Sequence, residues 1–459
     1  MKKSLVGILA LSMLFAQSLS ANVNKLYTRH CEVCHGDRGQ GGLGSSLIDE
    51  EWVHGKGDEE HARIISRGLP ELGMQGFGDI LSEKEIRSLV IYMQELKRRA
   101  EPVQAPREEN GIFITRHQKF RIEPLLENPA RMWGVSFLPG ERKIVTEIDG
   151  AVRILEADGQ LRPPLEDTPR VVRRGQGGML DVAVHPDYRE NGWIYLAFAE
   201  GEENQALTTV VRGRVRENRW VDQEVIFRAD EKFRSAAGVH FGTRIAFHQG
   251  YLFFSIGDRG AQQLAQDPGR PNGKIFRLHD DGRIPADNPS MGKNALPGIW
   301  STGHRNPQAL TFRPGTDELW STEHGPRGGD ELNRILPGRN YGWPTVTHGM
   351  NYNGTPITEH TSLPGLEDPV WYWTPSIATC GMAFADVAVY PGWEGDLILG
   401  GLRAEVLERL RLKYGKVEER EIILKDQGRV RDVKTGPDGL LYVILEANGS
   451  RLVRLVPAS

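Results

Sequence analysis

One short pattern of strand, turn and strand occurs six times between residues 134 and 446. Each copy has an apolar segment, a turn that contains Pro, Gly or Asp, and a second apolar segment, as in ALTFRPGTDELWSTE at residues 309–323. The copies span residues 134–147, 181–198, 244–258, 309–323, 381–402 and 432–446. Their starts lie about 50 to 70 residues apart, the repeat length of four-stranded blades that stack radially. The sequence therefore predicts an all-β propeller with six blades.

The first residues have the composition of an export signal. Lys2 and Lys3 precede an apolar run from residue 5 to residue 15, and Ser20 and Ala21 follow as small residues. This order is typical of a secretory signal peptide, here over residues 1–21, and predicts a periplasmic protein. The run of about 11 residues is short for an uncleaved membrane anchor, and no other segment is long and apolar enough to span. The net charge of −4 gives no indication of nucleic acid binding.

The motif CEVCH at residues 31–35 indicates covalent haem attachment. Thioether bonds from Cys31 and Cys34 would hold haem c, and His35 would bind the iron. A zinc or redox pair is the alternative, but zinc needs two more ligands, for which the segment offers three histidines. These are His30, His54 and His61. Cys380 is left over, and a buried free thiol is favoured over a nucleophile.

A helix with a capping box is predicted about 40 residues after the haem motif. Ser82 and Glu85 form the box, and the apolar face behind it includes Met93. Residues 22–100 resemble a small class I cytochrome c, in which the Met of an M-x-x-F-G segment is the distal iron ligand. Residues 74–78 read MQGFG, so the resemblance implies Met74. Met93 is the competing ligand, although helical spacing places it on the packing face.

Two further segments complete the organisation of the chain. GQGGLG at residues 39–44 fits a dinucleotide fingerprint, but no strand precedes it, so a haem-domain loop is favoured. Residues 101–119 are polar and contain Pro102 and Pro106, and they predict a linker. The predicted domains are therefore a small all-α cytochrome c domain at 22–100 and the propeller at 120–459.

Several polar motifs interrupt the predicted strands. They are GQGGMLDVAVHPD (175–187), AGVHFGTRIAF (237–247), SIGDRG (255–260), GHRNPQAL (303–310), EHGPRGGDELNRI (323–335), NYGWP (340–344) and GRVRDVKTGPDG (428–439). Together these motifs resemble the soluble aldose sugar dehydrogenase family, six-bladed propellers that use pyrroloquinoline quinone (PQQ) and calcium. The resemblance covers about residues 120–457.

PQQ carries several carboxylates, so its site needs cations. Arg429 and Arg431 lie two apart in a predicted strand and are expected on one face. By resemblance, Arg305 and Asn306 match an Arg-Asn pair that contacts the cofactor, and Gln176 matches a glutamine near cofactor and sugar.

The sequence departs from the family at two places. Arg403 stands where the family has a cofactor-binding lysine, which keeps the charge but not the geometry. The segment that lines the sugar pocket reads WTPSIA at residues 373–378 and differs from the family pattern, so substrate preference is not carried over.

His240 matches the family's general base, and Asp258 matches the carboxylate that supports it. The alternative for His240 is a buried structural role. Four other histidines are expected to be structural. These are His185, His248, His304 and His324.

The resemblance also implies calcium. The carbonyls of Gly325 and Pro326 match the ligands of a calcium ion at the PQQ, where the ion would polarise the quinone. Asp330 and Glu331, with the carbonyl of Tyr341, resemble the ligands of a second calcium, for which a solvated acidic turn is the alternative.

The resemblance implies oxidation of aldoses at C1 to lactones, with electrons passed singly from PQQ to the haem and then to a downstream cytochrome or another acceptor. Two alternatives belong to other classes of protein. A calcium-dependent propeller lactonase would need an acidic metal cage instead of the arginines. A non-catalytic binding propeller would not need His240 beside a cation-rich pocket.

Overall fold

The computed structural model describes residues 22–49, 52, 54–100 and 104–458. The predicted signal peptide lies outside these residues. Within the described part of the chain, no helix has both the length and the apolar character that a bilayer span requires.

The first domain consists of short helices and one small antiparallel pair of strands. Its elements are α1 (Val23–His30), α2 (Glu32–His35), α3 (Asp58–Arg67), β1 (Gly68–Leu69), β2 (Met74–Gln75) and α4 (Glu83–Ala100). The predicted capping box is present, because Ser82 N donates to Glu85 Oε2 at 3.0 Å and Glu85 N donates to Ser82 Oγ at 3.4 Å. The apolar face of α4, with Leu89 and Val90 fully buried, forms the centre of this domain.

The second domain contains six sheets arranged as the blades of a propeller, as predicted. The strands before the first blade are β3 (Arg107–Glu109), β4 (Ile112–Ile114) and β5 (Lys119–Asn128). Blade 1 has β6 (Met132–Phe137), β7 (Lys143–Glu147) and β8 (Val152–Leu155). Blade 2 has β9 (Met179–Val184), β10 (Ile194–Glu202), β11 (Gln205–Arg216) and β12 (Arg219–Phe227), with the short α5 (Tyr188–Asn191) between β9 and β10. Blade 3 has β13 (Ile245–His248), β14 (Tyr251–Ile256), β15 (Lys274–His279) and β16 (Ile299–Thr302).

The last three blades follow the same antiparallel order. Blade 4 has β17 (Pro307–Phe312), β18 (Leu319–Glu323), β19 (Asp330–Ile335) and β20 (Trp371–Trp373). Blade 5 has β21 (Thr379–Phe384), β22 (Leu397–Gly401), β23 (Val406–Lys413) and β24 (Lys416–Lys425). Blade 6 has β25 (Arg429–Thr435), β26 (Leu441–Ala447) and β27 (Gly449–Pro457). The first strand of each blade packs against the first strand of the next, which closes the ring.

The two ends of the propeller are joined by strand pairing. β5 pairs antiparallel with β27, from Asn128 opposite Ser450 to Phe120 opposite Pro457. β3 and β4 extend the same sheet, so part of the segment 101–119 predicted as a linker forms a hairpin on blade 6. Phe113 of this hairpin stacks on Phe120 with the ring centres 5.4 Å apart. Burial of this apolar contact explains why the hairpin belongs to the propeller.

Arg244, directly before β13, connects all six blades at the centre of the propeller. Its guanidinium is fully buried, forms ion pairs of 3.2 Å with two carboxylates, and lies over an indole ring at 4.1 Å. It also donates to a backbone carbonyl at 2.8 Å and to a thiol at 3.6 Å. The five partners, one from each other blade, are Trp133, Asp181, Gln308, Cys380 and Asp432. Cys380 is a buried free thiol, as predicted.

The helical domain packs against the propeller through the side of α4 that carries Ile91 and Glu95. Met350, from the loop between β19 and β20, is fully buried and belongs to the apolar core cluster of the helical domain. The Tyr372 hydroxyl donates to Asp58 Oδ2 at 3.3 Å, and Val23 N donates to Gly354 O at 3.0 Å. The two domains therefore share an apolar contact bordered by hydrogen bonds.

Candidate active site

His240 and Asp258 form a hydrogen-bonded pair on blade 3. Asp258 follows β14, and His240 precedes β13 in the neighbouring segment of the same sheet. His240 Nδ1 lies 2.6 Å from Asp258 Oδ1, and the Asp258 side chain is fully buried. Gly257 permits this approach, because a Cβ there would lie 2.3 Å from the carbonyl oxygen of His240. The structure thus brings together the two residues predicted as base and supporting carboxylate.

The buried carboxylate of Asp258 is held by three donors. Trp343 Nε1 donates to Oδ2 at 2.8 Å, and Gly260 N donates to Oδ1 at 2.7 Å, beside the His240 ring. Burial favours the neutral acid, but the hydrogen bond from His240 and the charge of Arg305 outweigh it and lower the pKa of Asp258. The group is therefore an ionised acceptor for the imidazole.

The environment keeps the His240 ring neutral. Burial lowers its pKa, and the charges of Arg305 and Arg259 add to this, while Asp258 raises it in part. Because Asp258 is a carboxylate acceptor, Nδ1 carries the proton of the neutral ring. The Nε2 lone pair of His240 is then available to accept a proton from a substrate hydroxyl.

The backbone around His240 is fixed by two side chains. Gln176 Oε1 accepts a hydrogen bond from His240 N at 2.7 Å. Arg259 donates to the carbonyls of Ala237 and Val239, and its guanidinium lies 3.3 Å from the centre of the Phe241 ring. Gln176, predicted near cofactor and sugar, thus also positions the histidine.

Arg305 and Asn306 connect this pair to the loop that follows β18. Arg305 O accepts from Asp258 N at 2.8 Å, and Arg305 Nη1 donates to Gly325 O at 2.7 Å. Asn306 Oδ1 accepts from Gly242 N at 3.1 Å, and its Nδ2 lies 3.4 Å from His324 Nδ1. The predicted cofactor residues Arg305 and Asn306 and the predicted calcium ligand Gly325 therefore lie next to the histidine pair.

Arg431 and Arg429 meet at one carboxylate on blade 6. Arg431 Nε donates to Glu446 Oε1 at 2.6 Å, and Arg429 Nε lies 3.7 Å from Glu446 Oε2. Both arginines reach the same carboxylate, which agrees with their expected position on one face of β25, and the register with β26 shifts between Val430 and Asp432. Arg431 is largely buried, whereas the Arg429 side chain is 47% exposed.

Two other predicted residues lie toward the helical domain. Arg403 is exposed and lines a groove of about 870 Å³ between the domains. Pro326 O accepts a hydrogen bond from Ser376 Oγ at 3.1 Å. Arg403 is therefore set in a different environment from Arg305, which is 5% exposed.

Asp330 and Glu331, predicted with the Tyr341 carbonyl for a second calcium, have different hydrogen-bond partners. Asp330 Oδ1 accepts from Gly325 N at 2.9 Å, and Oδ2 accepts from Ala378 N at 2.6 Å. Glu331, the next residue in β19, instead faces Asn333 at 3.1 Å because side chains alternate along a strand. The Tyr341 hydroxyl donates to Arg334 O and accepts from Leu336 N, and these contacts do not involve the carbonyl predicted as a ligand. No cluster of three or more His, Cys, Asp or Glu side chains suited to a metal occurs among the described residues.

Residues 126–454 match the family described as Glucose / Sorbosone dehydrogenase. The chain belongs to this family. The aldose sugar dehydrogenase YliI of Escherichia coli (strain K12) is 39% identical over 345 residues, which cover 73% of this chain and 92% of that protein. The match confirms the predicted family and the prediction that the chain is a dehydrogenase.

Solved structures of this family share the propeller. The soluble aldose sugar dehydrogenase (Asd) of E. coli in its apo-form has a TM-score of 0.71 at 38% identity, and the match covers 74% of this chain and 100% of that one. The PQQ-bound form of the aldose sugar dehydrogenase of Streptomyces coelicolor has a TM-score of 0.61 at 28% identity, with 74% and 99% covered. The fold of the glucose/sorbosone dehydrogenases thus accounts for the whole second domain.

A cytochrome c domain precedes the dehydrogenase domain, since residues 20–93 match the family described as Cytochrome C oxidase, cbb3-type, subunit III. Cys34 and His35 lie in α2, and Cys31 directly precedes it. His35 Nδ1 lies 2.8 Å from Ser45 O, in the loop that includes the glycine-rich residues 39–44. A carbonyl at Nδ1 leaves Nε2 of His35 for a metal. Met74, in β2, and Met93, in α4, both pack against the core cluster of this domain.

The four histidines expected to be structural have protein partners. His304 is fully buried between Ser301 and Glu323, and His248 pairs with Asp317 at 2.7 Å on the surface. His185 Nδ1 accepts from Asp187 N at 3.0 Å. His324, the fourth, has Asn306 as partner at Nδ1 only, at 3.4 Å, and burial together with the charge of Arg305 lowers its pKa to about 3.

Sequence reasoning missed two residues of the site. Trp343 lies in the motif NYGWP at residues 340–344, but nothing in the sequence pairs its indole with Asp258. Glu446 had a usable signal, because it is a single carboxylate in the otherwise apolar strand β26 and is 5% exposed. Buried carboxylates need a partner, so a carboxylate in this strand would have indicated an arginine nearby.

Proposed function

We propose that this dehydrogenase oxidises aldose sugars at C1 to lactones with PQQ and passes the electrons singly to haem c in its own first domain. The observation that carries the proposal is the 2.6 Å contact between His240 Nδ1 and Asp258 Oδ1 next to the buried Arg305. A neutral imidazole held by a carboxylate is the arrangement of a general base. The PQQ-bound relative from Streptomyces coelicolor supports the choice of cofactor.

Two buried nitrogens support a cofactor rich in oxygen atoms. Arg305 Nε and His324 Nε2 are buried and have no hydrogen-bond partner among the residues that the structure describes. Asn306 Nδ2 faces His324 Nδ1 at 3.4 Å, so Nε2 of the neutral ring carries the proton. Unpaired buried donors are costly, and the carboxylates and quinone oxygens of PQQ would be their acceptors. Arg305, Asn306, Arg431 and Arg403 would hold the cofactor, with Arg429 at the exposed edge.

When bound, PQQ supplies an electrophilic carbon that accepts the hydride from the sugar. His240 Nε2 takes the proton of the anomeric hydroxyl, which turns C1 into a better hydride donor. Asp258 keeps the ring in the required tautomer and stabilises the imidazolium that forms. Gln176 holds the His240 backbone and, by the family resemblance, would lie near the cofactor and the sugar.

Calcium is the second proposed cofactor. The carbonyls of Gly325 and Pro326 each accept one hydrogen bond, from Arg305 and from Ser376. A carbonyl oxygen has a second lone pair, so each can still contribute to an oxygen-ligated cation. Binding of a second ion by Asp330, Glu331 and Tyr341 would require rearrangement of the Asp330 carboxylate.

The electron acceptor within the chain is haem c, held by Cys31, Cys34, His35 and Met74. With His35 and Met74 as ligands to its iron, the haem would suit electron transfer and not oxygen chemistry. Residues 1–21 support export to the periplasm, where a downstream cytochrome or another redox protein would reoxidise the haem.

Reconstitution tests the proposal directly. Haem-loaded protein is incubated with PQQ and calcium and is then screened with a set of aldoses. Reduction of a dye that serves as an external electron acceptor is followed together with the haem spectrum. We expect aldose-dependent reduction of the dye and the haem, and lactone as the product. No oxidation of any aldose by the reconstituted protein would refute the function.

A further inference from the structure

A buried ion pair joins the cytochrome domain to the loop after β18. This loop carries the proposed calcium ligands Gly325 and Pro326 and is called the cofactor loop below. Arg327 directly follows Pro326, and its Nε and Nη2 donate to the Glu95 carboxylate of α4 at 3.0 and 2.6 Å. The side chains are 15% and 3% exposed. A two-pronged contact between Arg and a carboxylate fixes orientation as well as distance. Arg327 therefore determines where α4 lies relative to the cofactor loop.

The ion pair lies within a packed contact. Next to it, a Cβ added to Gly328 would lie 3.3 Å from Ile91 of α4, which shows how closely the helix approaches the loop. Asp58 of the cytochrome domain accepts from Arg87 at 2.8 Å and from the Tyr372 hydroxyl of the propeller at 3.3 Å. These contacts involve backbone, apolar and charged groups, so the domains meet in one defined orientation.

Aromatic rings continue from the ion pair toward the haem motif. The Arg327 guanidinium lies 5.7 Å from the centre of the Tyr92 ring, and Tyr92 lies edge-on to Tyr27 with centres 5.2 Å apart. The Tyr27 hydroxyl donates to Gly36 O at 2.8 Å, and its carbonyl accepts from Cys31 N at 2.8 Å. Tyr27 and Tyr92 are buried. A continuous set of buried contacts thus connects Arg327 with the CEVCH segment.

We propose that the Arg327–Glu95 pair keeps the cytochrome domain docked on the cofactor loop, and that electrons reach the haem through this contact instead of through a domain that swings on its linker. The inference rests on the proposed function. Arg327 and Glu95 are positioning residues in this scheme. Because the cytochrome domain is already docked, it does not have to find the productive orientation before each electron transfer.

The electron count fits this arrangement. Oxidation of C1 to the lactone releases two electrons and two protons. Ferric haem accepts one electron and becomes ferrous, so each sugar requires two successive transfers, with the haem reoxidised between them by an external one-electron acceptor. One proton leaves through His240 and the other is released to solvent.

Docking leaves a route for the sugar. The groove of about 870 Å³ between the domains is lined by Glu95, Arg327, Tyr352 and Arg403. The Tyr352 ring centre lies 5.9 Å from the Arg305 guanidinium, so the groove extends toward the proposed cofactor site. The docked cytochrome domain therefore borders the site without closing it.

Small-angle X-ray scattering tests docking without sugar or PQQ. The samples are haem-loaded wild type, Glu95→Arg, the milder Glu95→Gln, the swapped pair Glu95→Arg/Arg327→Glu, and the control Glu83→Arg at the exposed start of α4. We expect a larger radius of gyration for Glu95→Arg and a smaller increase for Glu95→Gln. The swapped pair and the control should resemble the wild type. Wild-type scattering from Glu95→Arg would overturn docking by this pair.

Stopped-flow reduction after PQQ and calcium are added tests the electron route. In Glu95→Arg, the rate of sugar-driven haem reduction divided by the rate of dye-linked sugar oxidation of the same variant should fall roughly tenfold or more. The swapped pair should recover most of this ratio. A wild-type ratio in Glu95→Arg overturns the inference. If the wild type oxidises no aldose with the dye, the proposed function fails, and the scattering comparison still decides the docking.

Discussion

His240 Nδ1 lies 2.6 Å from the fully buried Asp258 Oδ1, and this contact fixes which nitrogen of the imidazole is free. The carboxylate also accepts from Trp343 and Gly260, so it cannot turn away from the ring without losing two further hydrogen bonds. A ring held in this way keeps Nε2 directed to one place. The geometry therefore favours a base over a structural histidine.

Replacement of His240 separates the chemistry from cofactor binding. His240→Gln should keep PQQ bound and the haem reducible by dithionite, but slow sugar-driven reduction of the quinone by roughly 10²-fold, the usual contribution of a general base. Stopped-flow spectra follow the quinone and the haem separately. His248→Gln is the matched control, because that ring pairs with Asp317 at the surface. If quinone reduction kept its rate and only haem reduction slowed, His240 would belong to the electron route.

The pH profile tests the neutral state of His240. Burial and the charges of Arg305 and Arg259 lower its pKa, so the ring stays a base at more acidic pH than an ordinary histidine. The acid limb of kcat/KM should therefore lie below about pH 6.5. Asp258 raises the pKa of His240, so Asp258→Asn should move the limb to still lower pH and reduce the maximal rate. If the acid limb of kcat/KM moved to higher pH in Asp258→Asn, the pairing of Asp258 with His240 would be contradicted.

The fold was predictable from the sequence because each blade carries its own signal. The six hairpins correspond to the two inner strands of the six blades, where apolar residues must alternate with tight turns. The capping box of Ser82 and Glu85 was predictable for the same reason, since it depends only on local spacing.

Long-range pairings were not predictable. The polar segment with Pro102 and Pro106 gave no reason to expect that Phe113 packs on Phe120. The register shift between Val430 and Asp432 depends on tertiary contacts and has no signal in the sequence. Glu95 and Arg87 are charged residues of α4, yet both are buried, because α4 also packs against the propeller. Site residues came from family resemblance, and their partners came only from the structure.

Arg431 and Arg429 offer a matched comparison for cofactor binding. Arg431→Ala should weaken PQQ binding by roughly 1.5 to 3 kcal/mol, the scale of a charge-assisted hydrogen bond. Arg429→Ala should cost less than about 1 kcal/mol, because that side chain is 47% exposed. Fluorescence titration with PQQ at fixed calcium measures both. Because Arg431→Ala removes the closer of the two arginine partners of Glu446, Arg431→Ala/Glu446→Gln is the control for local damage. Equal losses in the two single variants would count against a special role of Arg431.

Met74 and Met93 can be distinguished by the haem spectrum. Met74→Ala should open the distal position, allow binding of external ligands and lower the reduction potential, because loss of the thioether destabilises the ferrous state. Met93→Ala should leave the potential close to that of the wild type. Spectroelectrochemistry of the haem-loaded protein measures both variants. A lowered potential in Met93→Ala alone would reassign the distal ligand.

Arg244 should be among the most sensitive positions for stability of the propeller. Its guanidinium is fully buried and lies 3.2 Å from both Asp181 and Asp432, so Arg244→Met leaves two buried carboxylates without their cation. Removal of one partner from a buried ion pair costs about 3 to 5 kcal/mol. Arg283→Met is the control, because that side chain is 74% exposed and its pair with Asp281 should contribute less than about 1 kcal/mol. Urea unfolding followed by the β-sheet circular dichroism signal compares them. A loss below about 1 kcal/mol in Arg244→Met would mean that the six blades do not depend on this contact.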